Sequence, residues 1–345
     1  MIDDPPDEPE KTMNQVIDAH AHVVPRRLAT AAQAGETRHG ITFDRDETGR
    51  ITSATGGPPM ALPWPTPLQT TAERVESMDA RRVDVHLLSI TPTMHWYNLA
   101  PADGKSLAEE TNDDIAEMMA EHPGRFGGLA FLPLQDPAAA IAELERCTTD
   151  LGFTGALVGT HVNGKDWDAP QLFEVLEAAV DLDALVFFHP TRGRANPFLP
   201  NYHLRNLIGN PLETAIALAS LIFGGVLDRL ADPKLCFAHG GGYGCLGIAR
   251  MDHGYEARSE AAGIARMPSE YVKNLYFDSL VHGYEALDHV IDLVGVDHVV
   301  LGSDYPADMG EPFPVDWLGG HPTLTEEDRR KILGENLAAL IGWEG

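Results

Sequence analysis

The sequence predicts an α/β fold, a (β/α)8 barrel of the TIM type, with a long insertion after the first strand and an extended loop after the fifth. Three observations predict it. Eight short apolar runs are too short to be helices, helix-patterned segments lie between them, and no GxGxxG turn follows the first run. The chain has 345 residues, of which 43% are hydrophobic, enough to close the core of one barrel of ordinary size.

The runs, in order, are VIDAHAHVV (16–24), VDVHLLSI (83–90), RFGGLAFLPL (125–134), TGALVGT (154–160), ALVFFHP (184–190), KLCFAHGG (234–241), NLYFDSL (274–280) and HVVLGSDYP (298–306). They are rich in Val, Leu, Ile and Phe, as strands buried on both faces must be. Between them, SLAEETNDDIAEMMAEH (106–122), DPAAAIAELERCTTDL (136–151) and APQLFEVLEAAVDL (169–182) carry helical period and composition. Strands alternating with helices imply right-handed βαβ units and a parallel sheet. Eight of them favour closure over an open doubly wound sheet, and the missing GxGxxG turn weakens the dinucleotide-binding alternative.

Residues 1–14, acidic and proline-rich, read as a flexible tail, and 15–345 as a single domain. With no basic start and no apolar stretch, the tail does not read as a signal peptide. Ala215 to Leu227 is the longest apolar candidate, but Gly224 and Gly225 break it, so it reads as a buried helix rather than a membrane span. A net charge of −27 repels phosphates and anionic lipid, which argues against nucleic-acid and membrane partners. Cys147, Cys236 and Cys245 fit neither a CxxC pair nor a disulfide framework, and the cytoplasm is the expected compartment. Two connections are long: 25–70, which includes GGPPMALPWPTP, and 191–212. Both should lie on the C-terminal face of the barrel, as lids or insertions near substrate.

The strongest local signal is Asp18-Ala19-His20-Ala21-His22 near the end of the first strand. Strand residues two apart point to the same side, so His20 and His22 can offer two imidazoles to one metal. Asp18, on the same face, could orient a ring nitrogen. The plain alternative is two polar histidines at a strand end. His189 closes the fifth run, His239 the sixth and Asp304 the eighth, each after strongly apolar residues. Barrel enzymes place their chemistry at these strand ends, and an unpaired ionisable group there would be costly. A single buried histidine is ordinary, whereas four strand ends converging on one face form a set.

The chain resembles the amidohydrolase superfamily and, within it, the aminocarboxymuconate-semialdehyde decarboxylase family. The matching stretches are HAH (20–22), MDARRVDV (78–85), HP (189–190), NPLETAIALASLIFGGVLDR (210–229), CFAHGGG (236–242), ARMDHGY (249–255), FDSLVH (277–282) and VVLGSDYPADMGE (299–311). The resemblance implies metal ligation by His20, His22, His189 and Asp304, with His239 as the acid/base residue. It also implies that Arg250 reaches the neighbouring protomer's site and binds a substrate carboxylate, which requires a homodimer. The family's namesake has an arginine roughly where Leu62 falls and aromatic residues where this chain has Asn206 and Ala307. Those differences argue for another small aromatic or heteroaromatic carboxylate as substrate. Trp64, His161, Arg192, Arg194, His203 and Arg205 are loop residues that could line the pocket.

Superfamily members with two metals place a carboxylated lysine at the end of the fourth strand. Here that strand ends without one, and Lys165 falls in a loop, so a single ion is expected. Three imidazoles and a carboxylate suit Zn²⁺, with Mn²⁺ as the alternative. The implied reaction is non-oxidative decarboxylation, with the proton supplied by His239 or Asp304. Two rivals are a hydrolase on the same scaffold and a catalytically silent binding protein. Retention of all four ligands and of His239 argues against the latter.

Overall fold

The computed structural model describes residues 15–62, 69–191, 194, 199 and 201–344. The expected tail 1–14, Trp64 and Arg192 lie outside the described residues. All eight apolar runs form strands: β1 (Ile17–Val23), β2 (Val85–Ile90), β3 (Phe126–Phe131), β4 (Gly155–Gly159), β5 (Leu185–His189), β6 (Leu235–Phe237), β7 (Tyr276–Asp278) and β8 (Val299–Val300). They pair in parallel and in sequence order. The seam between β8 and β1 is closed by Ala19 N–H donating to Leu301 O (2.9 Å), His22 N–H donating to Tyr305 O (2.7 Å) and a parallel bridge between Ala21 and Tyr305. The ring of strands is therefore continuous.

Alternation along the strands separates two cores. Ile17, Val85, Leu87, Leu129, Leu157, Leu185, Phe187, Cys236 and Val300 fill the barrel, and Leu337 and Leu340 of the helix Asn336–Ile341 close its lower end. The opposite faces pack under the surrounding helices, with Phe188 stacked on Phe237 at 4.8 Å and Phe237 on Phe277 at 5.7 Å. Each large apolar side chain fully buried in this way contributes about 1.5–3 kcal/mol, the main source of cohesion. The expected helices form as Pro101–Glu121, Pro137–Thr149 and Pro170–Asp181, each with proline in its first turn, where its missing N–H costs nothing.

The run Ala215 to Leu227 divides as expected. The helix Asn210–Phe223 buries Ala217, Leu218, Leu221 and Ile222, then Gly225 takes a left-handed conformation before a short turn of helix, Val226–Arg229. A five-residue π turn, Arg205–Gly209, leads directly into it. Together, Arg205–Phe223 is long and apolar enough by composition to cross a membrane, but its apolar inner face is part of the main core.

The first insertion is more ordered than its glycine and proline content suggested. It holds a helix, Arg26–Ala34, and a four-stranded antiparallel sheet of Thr37–Arg38, Ile41–Arg45, Ile51–Ala54 and Met60–Ala61. Ile41, Phe43, Ile51 and Leu62 anchor it in the main core, so Leu62 is a packing residue. Arg205 Nη1 lies 3.9 Å from Met60 Sδ, so the two long connections meet above the C-terminal rim.

Candidate active site

The ends of β1, β5 and β8 bring His20, His22, His189 and Asp304 together, all buried. One ligand atom from each lies within 4.8 Å of the others. His20 Nε2 and His22 Nε2 are 3.2 Å apart, and Asp304 Oδ1 is 3.4 Å from the first and 3.1 Å from the second. Neighbours fix each imidazole so that Nε2 faces inward. His20 Nδ1–H donates to Asp278 Oδ2 (2.6 Å). His22 Nδ1–H donates to Ser89 Oγ (2.9 Å), whose own proton goes to Ala21 O (3.2 Å). His189 Nδ1–H donates to Pro190 O (2.7 Å), and its buried Nε2 has no protein partner.

These contacts test whether the residues suit a metal. Three nitrogen lone pairs and a carboxylate oxygen facing one another repel unless a cation lies between them, and tethering the remote ring nitrogen is how proteins orient imidazole ligands. The charges agree. Burial lowers the His20 pKa, but Asp304 and Asp278 outweigh it and hold the ring up at about 10, so this spot favours a positive charge. Burial takes His22 down to about 4, with the neighbouring Asp304 carboxylate opposing, and takes His189 well below the usual histidine range. Burial alone would raise Asp304, yet the charge of His20 beside it leads in holding it well below the usual carboxylate range. The residues fit a single divalent ion.

His239 stands at the rim of this cluster, its Nε2 4.0 Å from Asp304 Oδ2 and its ring 5.1 Å from that of His189. It retains some solvent exposure, unlike the other three histidines. His239 and Asp304 both have positive φ, +57° and +58°. This left-handed region is uncommon for non-glycine residues, and aspartate and histidine are among the types that enter it most readily.

The sequence reading misplaced one role. Asp18 does not orient a ring nitrogen of the ligand set. Its carboxylate takes the amide protons of His20 (3.0 Å) and Ser303 (3.1 Å) and the Ser303 hydroxyl, and burial raises its pKa to about 6. The orienting carboxylate is Asp278, at the end of β7. It also accepts Gly240 N–H (2.9 Å), and there is room for it because a side chain on Gly302 would sit 2.7 Å from its Cβ. The signal was present in FDSL, where an acidic residue closes an apolar run just as His189 and Asp304 do. Among the proposed pocket residues, His161 is buried, while His203 and Arg205 are exposed. Arg194 donates its backbone N–H to Glu213 (2.8 Å) and pairs with Asp166, a structural role. Lys165 is exposed, as expected, and all three cysteines are free and buried.

The amidohydrolase family profile matches residues 17–343. The chain belongs to the amidohydrolase family. A 2-amino-3-carboxymuconate-6-semialdehyde decarboxylase of Dictyostelium discoideum is 40% identical, over 78% of this chain and 76% of that one. A gamma-resorcylate decarboxylase of a Polaromonas species is 27% identical, over 75% of this chain and 83% of that one. The crystal structure of a Polaromonas dihydroxybenzoic acid decarboxylase, with bound manganese and the inhibitor 2-nitroresorcinol, has the same fold. Its TM-score is 0.78 at 24% identity, covering 96% of this chain and 98% of that one. The expected resemblance to the aminocarboxymuconate-semialdehyde decarboxylase group is borne out, as is the expected barrel.

Proposed function

We propose that this amidohydrolase-family chain is a metal-dependent, non-oxidative decarboxylase of a small hydroxylated aromatic or heteroaromatic carboxylic acid. The observation that carries the reading is the convergence of three outward-tethered imidazoles and Asp304 beside His239, on a chain 40% identical to a decarboxylase. His20, His22, His189 and Asp304 would hold one divalent ion. Their three nitrogens and one oxygen favour Zn²⁺, with Mn²⁺ as the alternative. When bound, the ion supplies Lewis-acid polarisation of oxygen donors on the substrate.

His239 is the acid/base residue, with Asp304 the other candidate proton donor. A proton delivered to the ring carbon that bears the carboxylate forms a C–H bond. The C–CO₂ bond then breaks, its electron pair restores the aromatic system, and CO₂ leaves. Proton transfer by a positioned side chain is worth about 10²–10⁴-fold.

The same reading includes a homodimer. Arg250 is exposed on the helix Tyr243–Ala257, whose outer face also presents Tyr243 and Leu246 beside exposed Leu207, Ile208 and Leu212. A second copy seated on this face would bring Arg250 to its partner's site, where it would bind the substrate carboxylate. We take residues 15–345 as one catalytic unit, and the free, buried thiols fit a cytoplasmic setting.

The test is CO₂ release from a panel of hydroxybenzoates and pyridine carboxylates, run on the wild type and on His239→Ala with metal content measured in parallel. CO₂ release by the wild type and its near-abolition in the variant at equal metal content are expected. Hydrolysis of amides or lactones with no CO₂ would replace the reading with a hydrolase.

A further inference from the structure

Arg74 is almost fully buried, which is rare for arginine unless its charge is used. It lies on the helix Thr71–Arg81, which starts at a capping box formed by Thr70 and Glu73. Its Nη1 donates to the carbonyl of His22 (2.9 Å) and its Nε to His86 Nδ1 (3.3 Å). Its guanidinium lies over the Tyr305 ring, 4.8 Å from the centroid. Tyr305 follows Asp304 in the chain, and its carbonyl accepts the amide proton of His22 (2.7 Å). His22 is thus gripped at its carbonyl by Arg74 and at its amide by the residue whose ring supports Arg74.

A second arm runs through His86. Because His86 Nδ1 accepts from Arg74, its proton is on Nε2, which faces Asp18 Oδ2 at 3.6 Å. Asp18 in turn takes the amide protons of His20 and Ser303, and Ser303 precedes Asp304. The network therefore borders the backbone of three of the four site residues, on the two strands where the barrel closes. Among the described residues, no hydrogen bond joins Arg74 or His86 to His239.

We propose that Arg74 is a positioning residue of the metal centre. Its guanidinium fixes the seam between β1 and β8 on which His20, His22 and Asp304 are mounted, and so sets their spacing. The inference rests on the reading of these residues as metal ligands. Asp304 sits in a turn, with φ near +58°, between Ser303, which is held by Asp18, and Tyr305, which is held by the His22 amide and lies under Arg74. Arginine suits the task because one planar group makes two divergent hydrogen bonds and stacks on an aromatic face, whereas the ammonium of lysine does neither in the same geometry.

The test compares Zn²⁺ affinity, by competition with a chromogenic chelator, in the wild type, Arg74→Lys, Arg74→Met and the control Arg82→Lys, whose native side chain is an exposed partner of Asp316. Melting of the metal-free proteins and the ring spectra of ¹⁵N-labelled histidines are recorded alongside. Both Arg74 variants should bind Zn²⁺ about 10–100-fold more weakly, the range for loss of a group that supports metal ligands. The Lys variant should melt within a few degrees of the wild type, with kcat lowered more than KM is raised. Wild-type affinity in both folded Arg74 variants would overturn the proposal, as would an affinity loss that merely tracks loss of fold. If the wild type itself binds no Zn²⁺ or Mn²⁺, the metal reading falls. The metal-free spectra then decide on Arg74: shifted His22 ring signals in Arg74→Lys but not in Arg82→Lys sustain the positioning role, and unchanged signals end it.

Discussion

Asp278 illustrates how a single side chain prepares a ligand. Its hydrogen bond ties up Nδ1 of His20 and leaves Nε2 as the ring atom aimed at the centre, and Gly240 N–H holds the carboxylate in place. Burial would raise its pKa, but the hydrogen bond and charge of His20 hold it below the usual range, so it stays an acceptor at neutral pH. Asp278→Asn keeps the shape but removes that charge, and metal affinity should fall about 10–100-fold by chelator competition, with His239 still in place. Ligand residues could be read from strand-end histidines because an imidazole after an apolar run is conspicuous. Their supporting partners could not, since pairing Asp278 with His20 joins positions 258 apart in sequence. The displaced role of Asp18 has the same origin. Parity along β1 puts it near the histidines, but only the β8 seam determines that Ser303 takes up its oxygens.

At the scale of elements, the helix Pro101–Glu121 is tied to its neighbours by Glu121, which takes both Arg26 Nη atoms (2.6 and 2.8 Å) and the Thr71 hydroxyl. The Arg26 hydrogen bonds lead in pulling its pKa from 4.5 to about 2. A depressed carboxylate contributes stability that is present above its unfolded pKa and lost as pH falls through the folded value. The side chain is about two-fifths exposed, so solvent screening limits the effect. Glu121→Gln should cost about 0.5 kcal/mol at pH 7 by urea unfolding, and the gap should close as pH falls from about 4.5 towards 2. A second expectation concerns the helix Tyr243–Ala257. Leu246→Glu, at a position 70% exposed, should halve the particle mass by light scattering and reduce turnover while metal content is retained. An unchanged mass would remove the basis for placing the partner on this face. Strands and helices were legible because apolar runs and helical periods are local. The small sheet within 25–70 was not, because its strands are two to five residues long and are held by pairing rather than by their own pattern.

Over the whole molecule, the site residues span almost the full length of the chain, and the barrel's closure is what joins them. An ion bound there links β1, β5 and β8 and stabilises only the folded state. Adding Zn²⁺ at a hundred times its dissociation constant should therefore contribute about 2.7 kcal/mol. Chelation should lower the melting temperature by a few degrees by calorimetry, and restored metal should reverse it. Weaker ligation at acid pH follows from the same geometry, because the inward nitrogens of His20, His22 and His189 must be free of protons to bind an ion.

By itself, the sequence determined the order and number of the barrel strands, the helices 106–122, 136–151 and 169–182 between them and the strand-end residues able to carry chemistry. Each of these is written in local hydrophobic period and in polar groups placed where burial would otherwise penalise them. Only the tertiary structure decided that β8 closes on β1 and that Asp278 rather than Asp18 directs His20. It also decided that Arg74 reaches under the ligands and that the first insertion folds into a sheet. Those outcomes depend on contacts between residues far apart in the chain, and no local pattern encodes which distant partner arrives.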